Sequence, residues 1–165
     1  MIKCMLKLGF RVSELVNFKI DWINAIDKIV NIQINDKPIA WKPKYLSVRE
    51  VPIPDNLLIE LQQFIGNRKK GYVFKSRKKS NHYKYNEDSV IRKINRISKK
   101  VLGKNTGTHV FRRTYASHLS NSGHDLVVIR QYLGHSDVKT TFLYLKDIPD
   151  RKDYDKTRNM EIMNL

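Results

Sequence analysis

The stretch THVFRRTYASHLSNSGHDLVVIRQYLGHSDVKTTFLYL, residues 108–145, decides how this chain is read. Gly123 and Gly134 divide it into three helical runs. A glycine just past a helix accepts the left-handed backbone that ends it at little cost. The spacing predicts helices over 108–122 and 125–133, the second opened by Asp125 as an N-terminal cap, and a further helix from near Asp137 that carries Tyr144.

Upstream, PDNLLIELQQFI at 54–65 places Leu57, Leu58, Leu61, Phe64 and Ile65 at helical spacing, with Pro54 near the first helical position. Val90, Ile91, Ile94, Ile97, Val101 and Leu102 mark an amphipathic basic helix that Gly103 stops. Between 28 and 53 the period changes to two. Val30, Ile32 and Ile34 share one face of a strand over 28–35, and strands follow over 38–42 and 49–53, with 43–48 as the turn. SELVNF at 13–18 reads as a short helix capped by Ser13, with Glu14 at its positive end. The fold class expected is therefore α+β: mostly helical with a small three-stranded antiparallel sheet.

With 165 residues the chain is long enough for one domain with a real core. Lys and Arg number 32 against 16 Asp and Glu, a formal net charge of +16. A folded domain this basic attracts polyanions, because neutralising phosphates releases their condensed counterions. Nucleic acid is the partner this favours. The single cysteine, Cys4, cannot form an internal bridge, and no Cys/His spacing suggests a zinc site. That fits a reducing cytoplasm. No apolar run reaches the ~18 residues of a membrane span, and MIKCMLKLGF is too short for a signal peptide.

Three short motifs carry chemistry. In GFRVSEL, 9–15, Arg11 stands just before a helix start, where helix amides and a guanidinium can converge on a phosphate. In HVFR, 109–112, His109 and Arg112 are three apart and share a helix face, one able to move a proton and the other to fork onto phosphate oxygens. In LGHS, 133–136, His135 precedes Tyr144 by nine positions. Each alone is common in basic helical proteins.

Together the runs GFRVSEL, HVFRRTYASHLSNSG and DLVVIRQYLGHSDVKTTFLYL resemble the tyrosine recombinases, the family of phage integrases, Xer-type recombinases and small fimbrial inversion recombinases. The order and intervals of the three boxes match, and the likeness runs from about residue 5 to 147. The resemblance implies a DNA breaking-and-rejoining fold over 1–147, followed by a polar tail over 148–165. It implies site-specific cleavage and rejoining of double-stranded DNA through a 3′-phosphotyrosyl intermediate. It further implies four protomers assembled on two DNA sites, with no metal, cofactor, small-molecule ligand or membrane involved.

Site residues carry over one by one. Arg11 matches the first catalytic arginine, His109 and Arg112 the HxxR box, His135 the third box, and Tyr144 the nucleophile. KYLSVREVPIP, 44–54, resembles the family's β-hairpin and puts Lys44 on the general-acid lysine, with Lys42 as the alternative if the turn is longer. The arginines would neutralise charge building on the phosphate oxygens. His109 would accept the Tyr144 proton, Lys44 would protonate the departing 5′ oxygen, and His135 would add a hydrogen bond. Basic residues of 68–79 and 92–104 would grip backbone phosphates.

Family members carry an N-terminal DNA-clamping domain and a helix ahead of the first arginine box, whereas Arg11 here is preceded by ten residues. Weak DNA binding by the chain alone and an apolar face uncovered near residues 1–8 are therefore expected. The alternatives are an inactive DNA-binding remnant, a type IB topoisomerase-like relaxing enzyme and a basic RNA-binding structural protein. The last leaves the agreement of three boxes unexplained.

Overall fold

The structure is a computed structural model that describes residues 1–33, 48–76, 84–135 and 141. Six α-helices and three strands are described: α1 Ile2–Leu8, α2 Val12–Asn17, β1 Ile23–Asn24, β2 Ile29–Ile32, β3 Arg49–Pro52, α3 Asp55–Ile65, α4 Glu87–Leu102, α5 Thr108–Asn121 and α6 Leu126–Leu133. The mostly helical α+β architecture expected from the sequence holds.

The sheet is three-stranded and antiparallel, in the order β1-β2-β3. Its membership differs from the expectation. The predicted strand 38–42 lies outside the described residues, as do 43–47 of the predicted turn. The third described strand is β1, which the sequence reading missed. Two residues are too few to show an alternating pattern. β1 turns into β2 through Asn24, whose side-chain oxygen accepts the backbone N–H groups of Ile26 and Asp27, both at 3.1 Å. Lys28 takes a positive φ of 54° to close that turn without a glycine.

Along β2 and β3 burial alternates, and Val30, Ile32 and Val51 face the core. Arg49 sits opposite Ile32 in the register and in phase with Val51, so a guanidinium points inward from a core position. The main core gathers around Leu8, Phe10, Leu15, Phe18 and Trp22, with Phe10 meeting Phe18 edge-on at 5.0 Å. A second, smaller cluster holds Tyr115, Ala116, Ile129 and Leu133 between α5 and α6.

Helix α1 runs directly ahead of Arg11, so the chain does carry a helix before the first arginine box. Cys4, Met5 and Leu8 bury its apolar side. Met1 and Ile2 instead border an apolar groove of about 530 Å3 that Leu61, Phe64 and Ile97 help to line. The uncovered apolar surface expected near the N-terminus thus exists, as a groove that the first turn of α1 helps to line. Phe64 is 59 % exposed and leans on Phe74 at 5.5 Å.

Candidate functional site

Helix α1 ends at Gly9, which adopts the left-handed conformation with φ 61°. A Cβ there would run into the ring of Tyr115 on α5, so the backbone and α5 meet closely at this point. The turn delivers Arg11 to the start of α2. Arg11, not Ser13, is the capping position, and Ser13 lies inside the first turn of the helix. Glu14 completes the helix start by accepting the Arg11 backbone N–H at 2.7 Å.

Glu14 does more than cap. Its carboxylate is fully buried and collects guanidinium groups from three elements. Arg11 Nη1 donates to it at 2.9 Å. Arg49 donates from Nη1 at 2.8 Å and from Nη2 at 2.9 Å. Arg112 Nη1 stands 3.8 Å away. Burial alone would raise the carboxyl's pKa, but Arg49, and after it Arg112 and Arg11, outweigh burial and hold it at about 2.

Main-chain carbonyls complete the cage. Arg11 Nη2 donates to Gly134 O at 3.0 Å, and Arg112 Nη1 donates to Gly9 O at 2.5 Å. Arg112 Nη2 donates to Leu133 O, and Arg49 Nε donates to Tyr132 O at 2.8 Å. The end of α6 offers three of these carbonyls, and Gly9 at the end of α1 the fourth, because a helix leaves its last carbonyls without partners inside the helix. Gly134, with φ 59°, turns the chain so that they face the arginines.

Arg11, His109 and Arg112 line one cleft of about 150 Å3 between the start of α2 and the start of α5. His109 is exposed, Arg112 is almost fully buried, and the Arg11 side chain is partly open to solvent. His135 is buried just beyond Gly134, with Nδ1 2.8 Å from Thr141 Oγ1. Burial, then the charges of Arg112, Arg11 and Arg49, push its pKa down to about 3, so its ring is neutral at neutral pH. The sequence-predicted residues Lys44, its alternative Lys42 and Tyr144 lie outside the described residues.

Sequence reasoning missed Glu14 as a hub, and it gave Arg49 no role. A signal was present for Arg49: it is in phase with Val51 and Ile53 on a strand, and an inward-facing charge must be paired. Arg68, expected among the phosphate-gripping cations, donates to the carbonyls of Ile65, Tyr72 and Val73 and so ties the end of α3 to the following loop. The exposed cations of α4, among them Arg92, Arg96, Lys99 and Lys100, form a basic surface. No helix among the described residues is long and apolar enough to cross a membrane.

This fold, with two arginines and a histidine converging on a small basic cleft, is that of a tyrosine recombinase catalytic domain. Residues 1–150 match the phage integrase family, and the chain belongs to it. Tyrosine recombinase XerA of Pyrococcus horikoshii is 31 % identical over 140 residues, covering 84 % of this chain and 46 % of the relative. A tyrosine recombinase of Thermosipho africanus is 28 % identical over 154 residues, covering 92 % and 50 %. The chain thus spans about half the length of the curated relatives it matches. Among solved structures, XerA recombinase superposes with a TM-score of 0.74 at 25 % identity, covering 94 % of this chain and 56 % of that one. The Tn1549 transposon integrase in complex with transposon right-end DNA gives 0.73 at 20 % identity, covering 97 % and 57 %.

Proposed function

We propose that the chain is the catalytic part of a site-specific recombinase that cuts and rejoins double-stranded DNA through Tyr144. The observation that supports this most is the meeting of Arg11, His109 and Arg112, distant in sequence, in one cleft. Two guanidiniums held by a buried carboxylate and by main-chain carbonyls need little reorganisation when charge develops beside them. That is what an anionic phosphodiester under attack requires.

In the reaction, the Tyr144 hydroxyl oxygen attacks phosphorus and forms a phosphotyrosyl bond to the 3′ end. The bond to the 5′ oxygen breaks. The hydroxyl proton passes to His109, and Lys44 supplies a proton to the leaving oxygen. Arg11 and Arg112 stabilise the extra negative charge on the non-bridging oxygens. His135 adds a hydrogen bond as a neutral imidazole. For that its Nε2 must carry the hydrogen, with Nδ1 accepting from the Thr141 hydroxyl. The phosphotyrosyl bond keeps the energy of the original diester, so rejoining needs neither ATP nor metal.

XerH recombinase, of similar fold, has been solved bound to its difH substrate. Here the α4 cations would meet backbone phosphates and set register. Assembly of four protomers on two DNA sites, action in the cytoplasm and a division at residue 147 between catalytic domain and polar tail belong to the same proposal.

Covalent capture tests it. The protein is incubated with nicked duplexes drawn from its own genomic flanks and run on a denaturing gel beside Tyr144→Phe. An adduct that vanishes in the variant is expected. An adduct that persists in Tyr144→Phe would overturn the assignment of the nucleophile. No adduct on any flank, even after fusion to a DNA-clamping domain, would favour a remnant that only binds.

A further inference from the structure

We propose that Arg49 is a positioning residue for this chemistry: from β3 it fixes the Glu14 carboxylate and the end of α6 together, and so holds Arg11 and Arg112 in the cleft without reaching the cleft itself. The inference rests on the function proposed above.

The geometry singles Arg49 out. Its side chain is 5 % exposed, and it is not among the residues that line the cleft. It therefore acts through other groups. Its two terminal nitrogens grip both oxygens of Glu14, and its Nε reaches Tyr132 O. Glu14 in turn takes the Arg11 side chain and backbone N–H. The residues directly after Tyr132 offer the carbonyls that hold Arg112 and Arg11. One planar group on the sheet thus tethers both supports of the cleft arginines.

The two supports belong to different parts of the fold. Glu14 stands on α2 within the main core, whereas Tyr132 is on α6 against the second cluster. Arg49 spans the gap. A lysine could not replace it, because an ammonium is a point charge without the fixed fork that serves a carboxylate and a carbonyl in different directions. In the R49K variant Glu14 is free to swing toward Arg11 and Arg112, and both are drawn off the phosphate. Affinity for DNA, set largely by exposed cations, stays as it was.

The test uses the full chain and two variants, R49K and R49Q, with two readouts. The first is nitrogen NMR of the arginine Nε–H groups, assigned through Arg11→Lys and Arg112→Lys. Arg68, held by carbonyls at the end of α3, serves as the internal reference for folding. The expected result is that the Arg11 and Arg112 signals shift or broaden while that of Arg68 stays in place. The second is single-turnover cleavage of the nicked duplex beside DNA affinity. The rate should fall roughly ten- to hundredfold, the scale of one charged hydrogen bond, with affinity within about twofold. Unchanged Arg11 and Arg112 signals would overturn the proposal. Loss of the Arg68 signal in both variants would also overturn it, making Arg49 a residue of folding only. A wild-type chain that cleaves nothing would sink the proposed function instead, and the NMR readout would still decide the role of Arg49.

Discussion

Replacing Glu14 by Gln tests whether one carboxylate holds the cleft together. The side chain keeps its shape, loses its charge and turns an N–H group toward guanidiniums that need an acceptor. Arg11, Arg49 and Arg112 would then share a buried site with no counter-charge among the groups shown to hold them. Breaking a buried ion pair by removing one partner costs about 3–5 kcal/mol. The carboxyl's own shift gives a matching figure: the interval from 4.5 to about 2 corresponds to roughly 3 kcal/mol. For a domain of this size that is a fall in Tm of roughly 6–12 °C near neutral pH.

The sign with pH follows from the depressed value. The stabilisation is fully present above pH 4.5 and is lost as pH falls toward 2, where the wild type protonates Glu14 too. Thermal unfolding followed by circular dichroism, every half unit from pH 7 to 2, should therefore show two curves that stay parallel above 4.5 and converge below it. Equal melting temperatures at pH 7, or a gap that persists undiminished at pH 2, would refute the reasoning.

Other expectations concern neighbouring groups. Because His135 is held neutral to about 3, the unfolded chain takes up a proton first once pH drops below 6.5, and the fold loses up to ~1.4 kcal/mol per pH unit there. His135→Gln should flatten that slope between pH 6.5 and 4.5 in the same melts. Thr141→Val removes the hydroxyl beside His135 Nδ1 and should slow single-turnover cleavage roughly tenfold with DNA affinity unchanged. Gly9→Ala should cost about 2–4 kcal/mol in urea unfolding, since it strains a positive φ and strikes Tyr115; Tyr115→Leu should restore part of it. Lys99→Gln with Lys100→Gln should weaken anisotropy-measured DNA binding alike on all sequences and reduce the salt slope by about 2.

The helices were legible because their signals are local. Asp125 caps α6 by accepting from Val127 N–H, and Gly103 and Gly134 end their helices in the left-handed conformation, as their positions in the sequence imply. Leu57, Leu58 and Leu61 bury the α3 face that their spacing marks. The same pattern overstated Phe64, Val101 and Leu102, which are exposed although they stand at apolar positions. Periodicity identifies the apolar stripe, but tertiary packing decides how far along it burial extends. The cleft arginines are legible through the resemblance that the three motifs carry together, and their supports are not. Glu14 reads locally as a helix-start carboxylate, and only long-range folding brings Arg49 and Arg112 to it. By residue type Ser13 is the natural cap, since hydroxyls cap well; the Glu14 carboxylate satisfies the helix start from the inside instead.

Carbonyl oxygens at Gly9 and Leu133 hold Arg112, and one at Gly134 shares in holding Arg11. Every amino acid brings the same oxygen, so a substitution cannot delete these acceptors; it can only move them by bending the chain. A side-chain replacement can therefore reach this grip at few places: the two cleft arginines, Arg49, the carboxylate that all three share, and the left-handed glycines that aim the main chain. Around them the residues can differ widely so long as the main chain keeps its path, because the holding oxygens come with any of them.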